Sequence, residues 1–206
     1  MLIINDTYFN MQKNKTMETQ TLYQEAIKFA AGKHADKNQT ISGTNLPYVV
    51  HLSNVAMEVL MASKETEKFD LKLAIQMALL HDTLEDTNTT FDELEKEFNP
   101  EVADGVLALT KDSKVASEDR MTDSLSRIKK LPKEVWIVKL ADRITNLQVP
   151  PAHWSLEKIQ KYQKQAIQIF QELQGANAYL GKRLQEKINE YGKYCDLNAE
   201  SARPKA

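Results

Sequence analysis

From Thr19 onward the apolar positions recur at the three-and-four spacing of amphipathic helices. Leu22, Ala26, Phe29 and Ala30 form one stripe, and Gly32 falls near its end. Residues 36–47 are polar. Ser42, Gly43 and Asn45 there are turn formers, and Pro47 supplies the fixed φ of a helix entrance. A second helix follows, with Val50, Val55, Val59 and Leu60 inward. A third runs from about residue 70 to Leu80 and is apolar nearly all round, which places it in the middle of a bundle. Thr90-Phe91-Asp92-Glu93 reads as a capping box, in which Thr90 caps a backbone N–H and Glu93 reaches back three residues. Asn99 and Pro100 open the next helix as N-cap and first helical residue, ahead of a stripe of Val102, Val106, Leu107 and Leu109. Residues 111–119 are charged and aperiodic and are expected to form a mobile loop. Pro132 opens a helix carrying Val135, Trp136, Val138, Leu140 and Ile144, stopped by Val149-Pro150-Pro151. Two amphipathic segments, near 155–173 and 176–191, complete the set. Residues 1–17 are polar and irregular and read as a flexible arm, and residues 194–206 as a flexible tail, which leaves one domain over 18–193. No repeat at a period of roughly 20–50 residues is present, nor any Gly-rich phosphate loop. The pattern predicts an all-α, single-domain bundle of about eight to nine helices.

Composition narrows this further. The 206 residues include only six Gly and six Pro, too few turn formers for a many-stranded sandwich or barrel. The single Cys195 excludes a disulfide scaffold and points to a reducing compartment. No apolar run approaches the ~18 residues of a membrane span, and residues 1–10 lack the basic segment of a secretory signal. With 27 Lys+Arg against 29 Asp+Glu, the formal net charge of −2 predicts no general affinity for nucleic-acid polymers, leaving room for a local basic pocket. The expectation is a soluble cytoplasmic protein.

The chemistry sits at helix ends. His81 and Asp82 close the most apolar helix, within Leu79-Leu80-His81-Asp82-Thr83-Leu84-Glu85-Asp86. On a continuing helix Glu85 lies one turn beyond His81, and Asp86 one turn beyond Asp82. Two readings stand for this segment: a solvated acidic helix end, or a divalent-metal site that relieves the repulsion among three carboxylates. A second cluster favours the metal. Asp142 follows an apolar run and shares a helix face with Asn146, four residues on. His51, at the start of the second helix, is the third anomaly. His51, His81, Asp82 and Asp142 supply two imidazoles and two carboxylates, a set that suits Mn²⁺, Fe²⁺ or Mg²⁺ better than a thiolate-rich zinc site. An ion so held would polarise a phosphoryl oxygen and lower the pKa of bound water. His34, in Gly32-Lys33-His34, and His153, beside Trp154, are read as packing or turn residues.

Three motifs carry a resemblance: Pro47-Tyr48…His51, then Ala78-Leu79-Leu80-His81-Asp82-Thr83-Leu84-Glu85-Asp86-Thr87, then Val138-Lys139-Leu140-Ala141-Asp142-Arg143…Asn146-Leu147. In an all-helical chain they resemble the HD superfamily of metal-dependent phosphohydrolases. More narrowly, they resemble the hydrolase domain of RelA/SpoT-type proteins and its small stand-alone members, over about residues 20–190. The resemblance implies an HD-type bundle that removes pyrophosphate from the 3′ position of guanosine tetra- and pentaphosphate, using one Mn²⁺ ahead of Mg²⁺ or Fe²⁺. It implies His51, His81, Asp82 and Asp142 as metal ligands, and Glu85 and Asp86 as the pair that orients and deprotonates water. Asn146, Tyr162 and Lys158 would contact the nucleotide. No membrane partner is implied, and the chain would act as a monomer or weak homodimer.

The departures concern base recognition. Where the family carries an Arg/Lys pair ahead of the first metal histidine, this chain has Lys37 as its only cation, and Gln148 stands where an Arg usually follows Asn-Leu. An HD phosphohydrolase for another phosphorylated nucleotide is therefore the nearest alternative. A metal-stabilised module that binds an alarmone without hydrolysing it is the other, and the Glu85-Asp86 pair argues against it.

Overall fold

The computed structural model describes the backbone of residues 3–201 and the side chains of 18–196. The arm expected over 1–17 and most of the tail expected over 194–206 lie outside the described side chains. Ten α-helices follow one another: α1 (Ile3–Ala35), α2 (Val49–Ser63), α3 (Leu71–Leu80), α4 (Thr83–Asp86), α5 (Phe91–Glu97), α6 (Pro100–Leu109), α7 (Arg120–Ile128), α8 (Lys133–Asn146), α9 (Leu156–Leu173) and α10 (Ala178–Ser201). A single 3₁₀ turn, Gln174–Ala176, joins the last two. Two of the ten are short segments of four and seven residues. No β-strand occurs among the described residues, as the low Gly and Pro content predicts.

The all-apolar segment does form the central helix. From Ala74 to Leu80 every residue of α3 is buried, and α3 packs against α1, α2, α6 and α8. Helix α8 lies alongside α2 and α3 and is covered in turn by the α9–α10 pair. Local caps set where helices begin. Asp70, Asn99 and Ser155 accept from the backbone N–H three residues on, at Leu73, Val102 and Lys158. Asn177 caps α10 through Leu180 N at 2.8 Å, while its amide donates to Ala62 O and Thr66 Oγ1, tying α10 to the end of α2. Arg183 and Glu58 make a bidentate pair at 2.6–2.8 Å across the same two helices.

Three expectations change. The capping box is half formed: Thr90 Oγ1 accepts from Glu93 N at 3.2 Å, but the Glu93 carboxylate turns to Lys33 Nζ at 2.6 Å and ties α5 to α1. Leu107 does not belong to the buried stripe of α6. It is 47% exposed, since Val106 beside it takes the inward direction and successive helical positions diverge by about 100°. Helix α7 has no counterpart in the periodicity reading, because its buried face is only Met121, Leu125 and Ile128 with a buried Ser124. Polar contacts fix it instead. Ser124 Oγ donates to Ala108 O at 2.9 Å, and Arg127 donates to the carbonyls of Leu107, Ala108 and Thr110 at the end of α6.

The polar segment 36–47 is pinned. Thr40 and Pro47 form an antiparallel bridge, and Tyr48 N donates to Gln39 O at 3.2 Å. Its tip is Gly43, with φ +80, where a Cβ would sit 3.0 Å from Pro151 Cβ. Glycine is required there on both counts.

Two glycines test the packing from opposite sides. A Cβ on Gly105 would lie 2.1 Å from Met77 Sδ in the core, so Gly105→Val is expected to cost about 1–3 kcal/mol through overpacking. Gly32 faces open space near the end of α1, so Gly32→Ala is expected to gain about 0.5–1 kcal/mol. Shifts of the denaturation midpoint in opposite directions would check both.

Candidate metal centre

The site is built where three helix ends converge. His51 stands on the first turn of α2, His81 follows the last residue of α3, and Asp142 lies on the last full turn before α8 ends. The helix expected to continue through residues 81–86 breaks. Helix α3 stops at Leu80, Asp82 takes φ −100 and ψ 0, and a fresh turn begins at Thr83. The break matters because adjacent residues on an unbroken helix point about 100° apart. Here His81 Nε2 and Asp82 Oδ2 are 3.0 Å apart, aimed at one point.

One donor atom each from His51, His81 and Asp142 lies within 4.8 Å of the others. His51 Nε2 and His81 Nε2 are 3.3 Å apart, and Asp142 Oδ1 is 3.5 Å from the first and 3.6 Å from the second. Asp82 Oδ2 reaches His51 Nε2 at 3.7 Å and also accepts from the Tyr48 hydroxyl. His81 Nδ1 donates to Ala78 O at 2.9 Å, so Nε2 is the ring nitrogen that faces the site and would offer its lone pair once deprotonated. Two imidazole nitrogens in van der Waals contact need a cation or a proton between them. A divalent metal fits this set of nitrogen and carboxylate donors.

The electrostatics agree. Burial disfavours a charged His81, yet the Asp82 and Asp142 carboxylates outweigh it and push its pKa up to about 10. Burial also disfavours both carboxylates, but His81 beside Asp82, and Lys139 with the two histidines beside Asp142, hold them below the usual carboxylate range. Lys139 is a buried cation whose Nζ lies 3.3 Å from Asp142 Oδ2, on the side away from the histidines.

The chain matches the family described as HD domain over residues 26–179. The guanosine-3′,5′-bis(diphosphate) 3′-pyrophosphohydrolase MESH1 of Danio rerio is 36% identical over 173 residues, spanning 82% of this chain and 93% of that protein. This is an HD-domain protein of the MESH1 family. The Homo sapiens MESH1 is 34% identical over the same shares of the two chains. A solved structure of a metazoan SpoT orthologue that hydrolyses ppGpp is similar with a TM-score of 0.72 and 29% identity, covering 83% of this chain and 96% of that one.

In this HD domain the two acidic residues after the metal cluster are held differently. Glu85 is gripped twice by Lys111, through its backbone N at 3.0 Å and its Nζ at 2.8 Å. Asp86 receives one contact, from Gln39 Nε2 to Oδ2 at 2.8 Å. Burial, and then the charge of Asp82, raise the Asp86 pKa above the ordinary carboxylate value.

The expected substrate contacts divide. Asn146 Nδ2 donates to Asp142 Oδ1 at 2.5 Å, so its amide orients the Asp142 carboxylate from the exposed rim. Tyr162 borders the centre. Burial is the main cause raising its pKa, and its phenol also feels Arg143, Asp142, Lys111 and Asp82. Its ring packs on Trp154 at 5.2 Å, with the Arg143 guanidinium 4.1 Å from its centroid. Lys158 is exposed and lies over the Trp154 ring at 4.3 Å, which is the bland placement of an amphipathic helix surface. Lys37 is exposed in the turn after α1, and no contact among the described residues joins it to the metal group. His153 is exposed and His34 buried, neither at the metal position.

Tyr48, Lys139 and Arg143 stand in the sequence motifs without an expected role, and Gln39 and Lys111 were not singled out by sequence. A lone lysine inside the run Trp136-Ile137-Val138-Lys139-Leu140-Ala141 is a readable signal for a buried ion pair. The Lys111–Glu85 pair spans 26 residues and carries none.

A divalent ion here would have to displace the proton that the neighbouring carboxylates hold on His81, so its apparent affinity is expected to rise with pH, about tenfold per unit for one proton released. Calorimetry in buffers of different ionisation enthalpy is expected to show about one proton released per Mn²⁺ at neutral pH. Saturating metal at a hundredfold its Kd is expected to add about 2.7 kcal/mol to stability, and His51→Ala and Asp142→Ala are expected to abolish that increment in thermal unfolding.

Proposed function

We propose that this chain hydrolyses the 3′-pyrophosphate of guanosine tetra- and pentaphosphate, releasing pyrophosphate and GDP or GTP. The activity would reside in the HD domain over residues 18–193, in the cytoplasm, acting as a monomer or weak homodimer. The observation that carries this reading is the buried His51–His81–Asp142 group with Asp82 beside it and the Glu85-Asp86 pair one turn on, in a chain whose MESH1 relatives are named for this reaction. Among the described residues no helix is long and apolar enough to cross a membrane.

His51, His81, Asp82 and Asp142 would hold one divalent ion; their nitrogen and carboxylate donors suit Mn²⁺, Fe²⁺ or Mg²⁺, and the family resemblance puts Mn²⁺ first. When bound, the ion supplies Lewis acidity to a phosphoryl oxygen and acidifies a water molecule. The chain's residues do the rest. Asp86 accepts the proton of the attacking water through the oxygen that Gln39 leaves open. The water oxygen bonds the phosphorus attached to the ribose 3′-oxygen, that P–O bond breaks, and the 3′-oxygen takes a proton to become a hydroxyl. Glu85, locked by Lys111, orients the water and positions a cation near the departing diphosphate. Tyr162, Lys158, Asn146 and Lys37 would contact the nucleotide, with Tyr162 backed by Arg143.

Purified protein with Mn²⁺ and ppGpp is expected to release equimolar pyrophosphate and GDP. Asp86→Asn is expected to lower kcat by about 10²–10⁴ with metal content retained. Because its pKa is raised, Asp86 loses its ionised form early as pH falls, so kcat is expected to drop at a higher pH than an ordinary carboxylate would dictate.

One observation supports a second reading. Segment 36–47 offers Lys37 as its only cation, and Gln148 donates to Thr145 O, so base recognition differs from the family pattern. Under that reading the same centre acts on another phosphorylated nucleotide. A panel of ppGpp, deoxynucleotides, cyclic nucleotides and NADPH compared by kcat/KM separates the two.

A further inference from the structure

A line of side chains outside the metal group ends on Asp86. His34 is buried at the end of α1, with its ring 4.7 Å from that of Tyr48. Its Nδ1 lies 2.6 Å from Gln39 Oε1, and Gln39 Nε2 lies 2.8 Å from Asp86 Oδ2. The direction of this chain follows from its last member. An ionised carboxylate only accepts, so Gln39 must turn its NH₂ toward Asp86 and its carbonyl toward His34. His34 must then carry its hydrogen on Nδ1 and donate it. Its Nε2 is left bare and buried, with no protein partner among the described residues. A charged His34 would bury an unpaired N–H, and burial accordingly lowers its pKa.

Gln39 is held at both backbone ends as well. Its N donates to His34 O at 3.1 Å and its carbonyl accepts from Tyr48 N at 3.2 Å, beside the Thr40–Pro47 bridge. The amide therefore has little freedom to swing. It holds one Asp86 oxygen and leaves the other free to take a proton, so the contact biases the carboxylate toward one rotamer.

We propose that His34 and Gln39 are positioning residues that fix the tautomer and rotamer of the water-activating Asp86. This rests on the reading of Asp86 given above. Positioning partners of this kind typically matter by 10–100-fold.

The test uses the full chain with Mn²⁺ and ppGpp. Gln39→Met keeps the side-chain length and removes both hydrogen bonds. It is expected to lower kcat about tenfold or more while KM, bound metal and unfolding temperature stay near wild type. His34→Leu is expected to do the same, and His34→Asn, whose amide can replace the Nδ1–H donor, to restore most of kcat relative to His34→Leu. In an Asp86→Asn background Gln39→Met is expected to cause no further loss, since residues acting through one another are non-additive. Wild-type kcat in Gln39→Met alongside a crippled Asp86→Asn overturns the positioning role and leaves the role of Asp86 intact. Full activity in Asp86→Asn overturns both. A rise in KM alone, or losses that add in the double variant, places Gln39 in substrate binding or elsewhere and overturns the proposal.

Discussion

Two imidazole nitrogens 3.3 Å apart, faced by two carboxylates in the interior of an apolar bundle, are the arrangement around which the chain is organised. Burying four ionisable groups is costly unless each finds a partner. The fold meets that cost from several directions at once. Ala78 O fixes one histidine, the Tyr48 hydroxyl takes one Asp82 oxygen, and Lys139 and Asn146 hold Asp142 from either side. Such neutralisation explains how α8 tolerates a buried lysine and aspartate among apolar residues, while the buried Arg143 lies against the Tyr162 ring. It also accords with the nearly all-apolar sequence of α3, which is buried from Ala74 to Leu80 and ends at the cluster.

Much of this was legible in the sequence, for definite reasons. Helix periodicity and caps are local properties, so the central position of α3 could be read from spacing and the cap at Asn99 from residue type, while the stop expected at Val149-Pro150-Pro151 falls a few residues earlier, after Asn146. The buried group was legible because polar residues in apolar runs are anomalies, and His51, His81 and Asp142, with Asp82 beside them, are brought together as such. What could not be read depends on distant pairings. Glu93 fits a capping box locally, yet Lys33, 60 residues away, offers its carboxylate a charged partner. Helix α7 is held by Ser124 and Arg127 against carbonyls of α6, which no period reports. The break at His81-Asp82 is likewise tertiary: it forms because both side chains are needed at one point.

The division of labour between Glu85 and Asp86 belongs to the same class. Two adjacent acids look equivalent in sequence. Their partners, Lys111 from beyond α6 and Gln39 from the pinned segment after α1, make one a clamped anchor and the other a half-free acceptor. The partners that distinguish the two acids thus come from segments outside the helix that carries them.

The contact between Gly43 and Pro151 couples two turns that are far apart in the chain. A Cβ at Gly43, in the turn preceding His51, would sit 3.0 Å from Pro151 Cβ, in the turn following α8. A bulkier residue at position 43 therefore presses directly on the second turn, although more than a hundred positions separate them. Lys37 lies in the segment that leads into the first turn and Gln148 in the one that leads into the second, so the conformation of each turn is felt along the rim formed by the other.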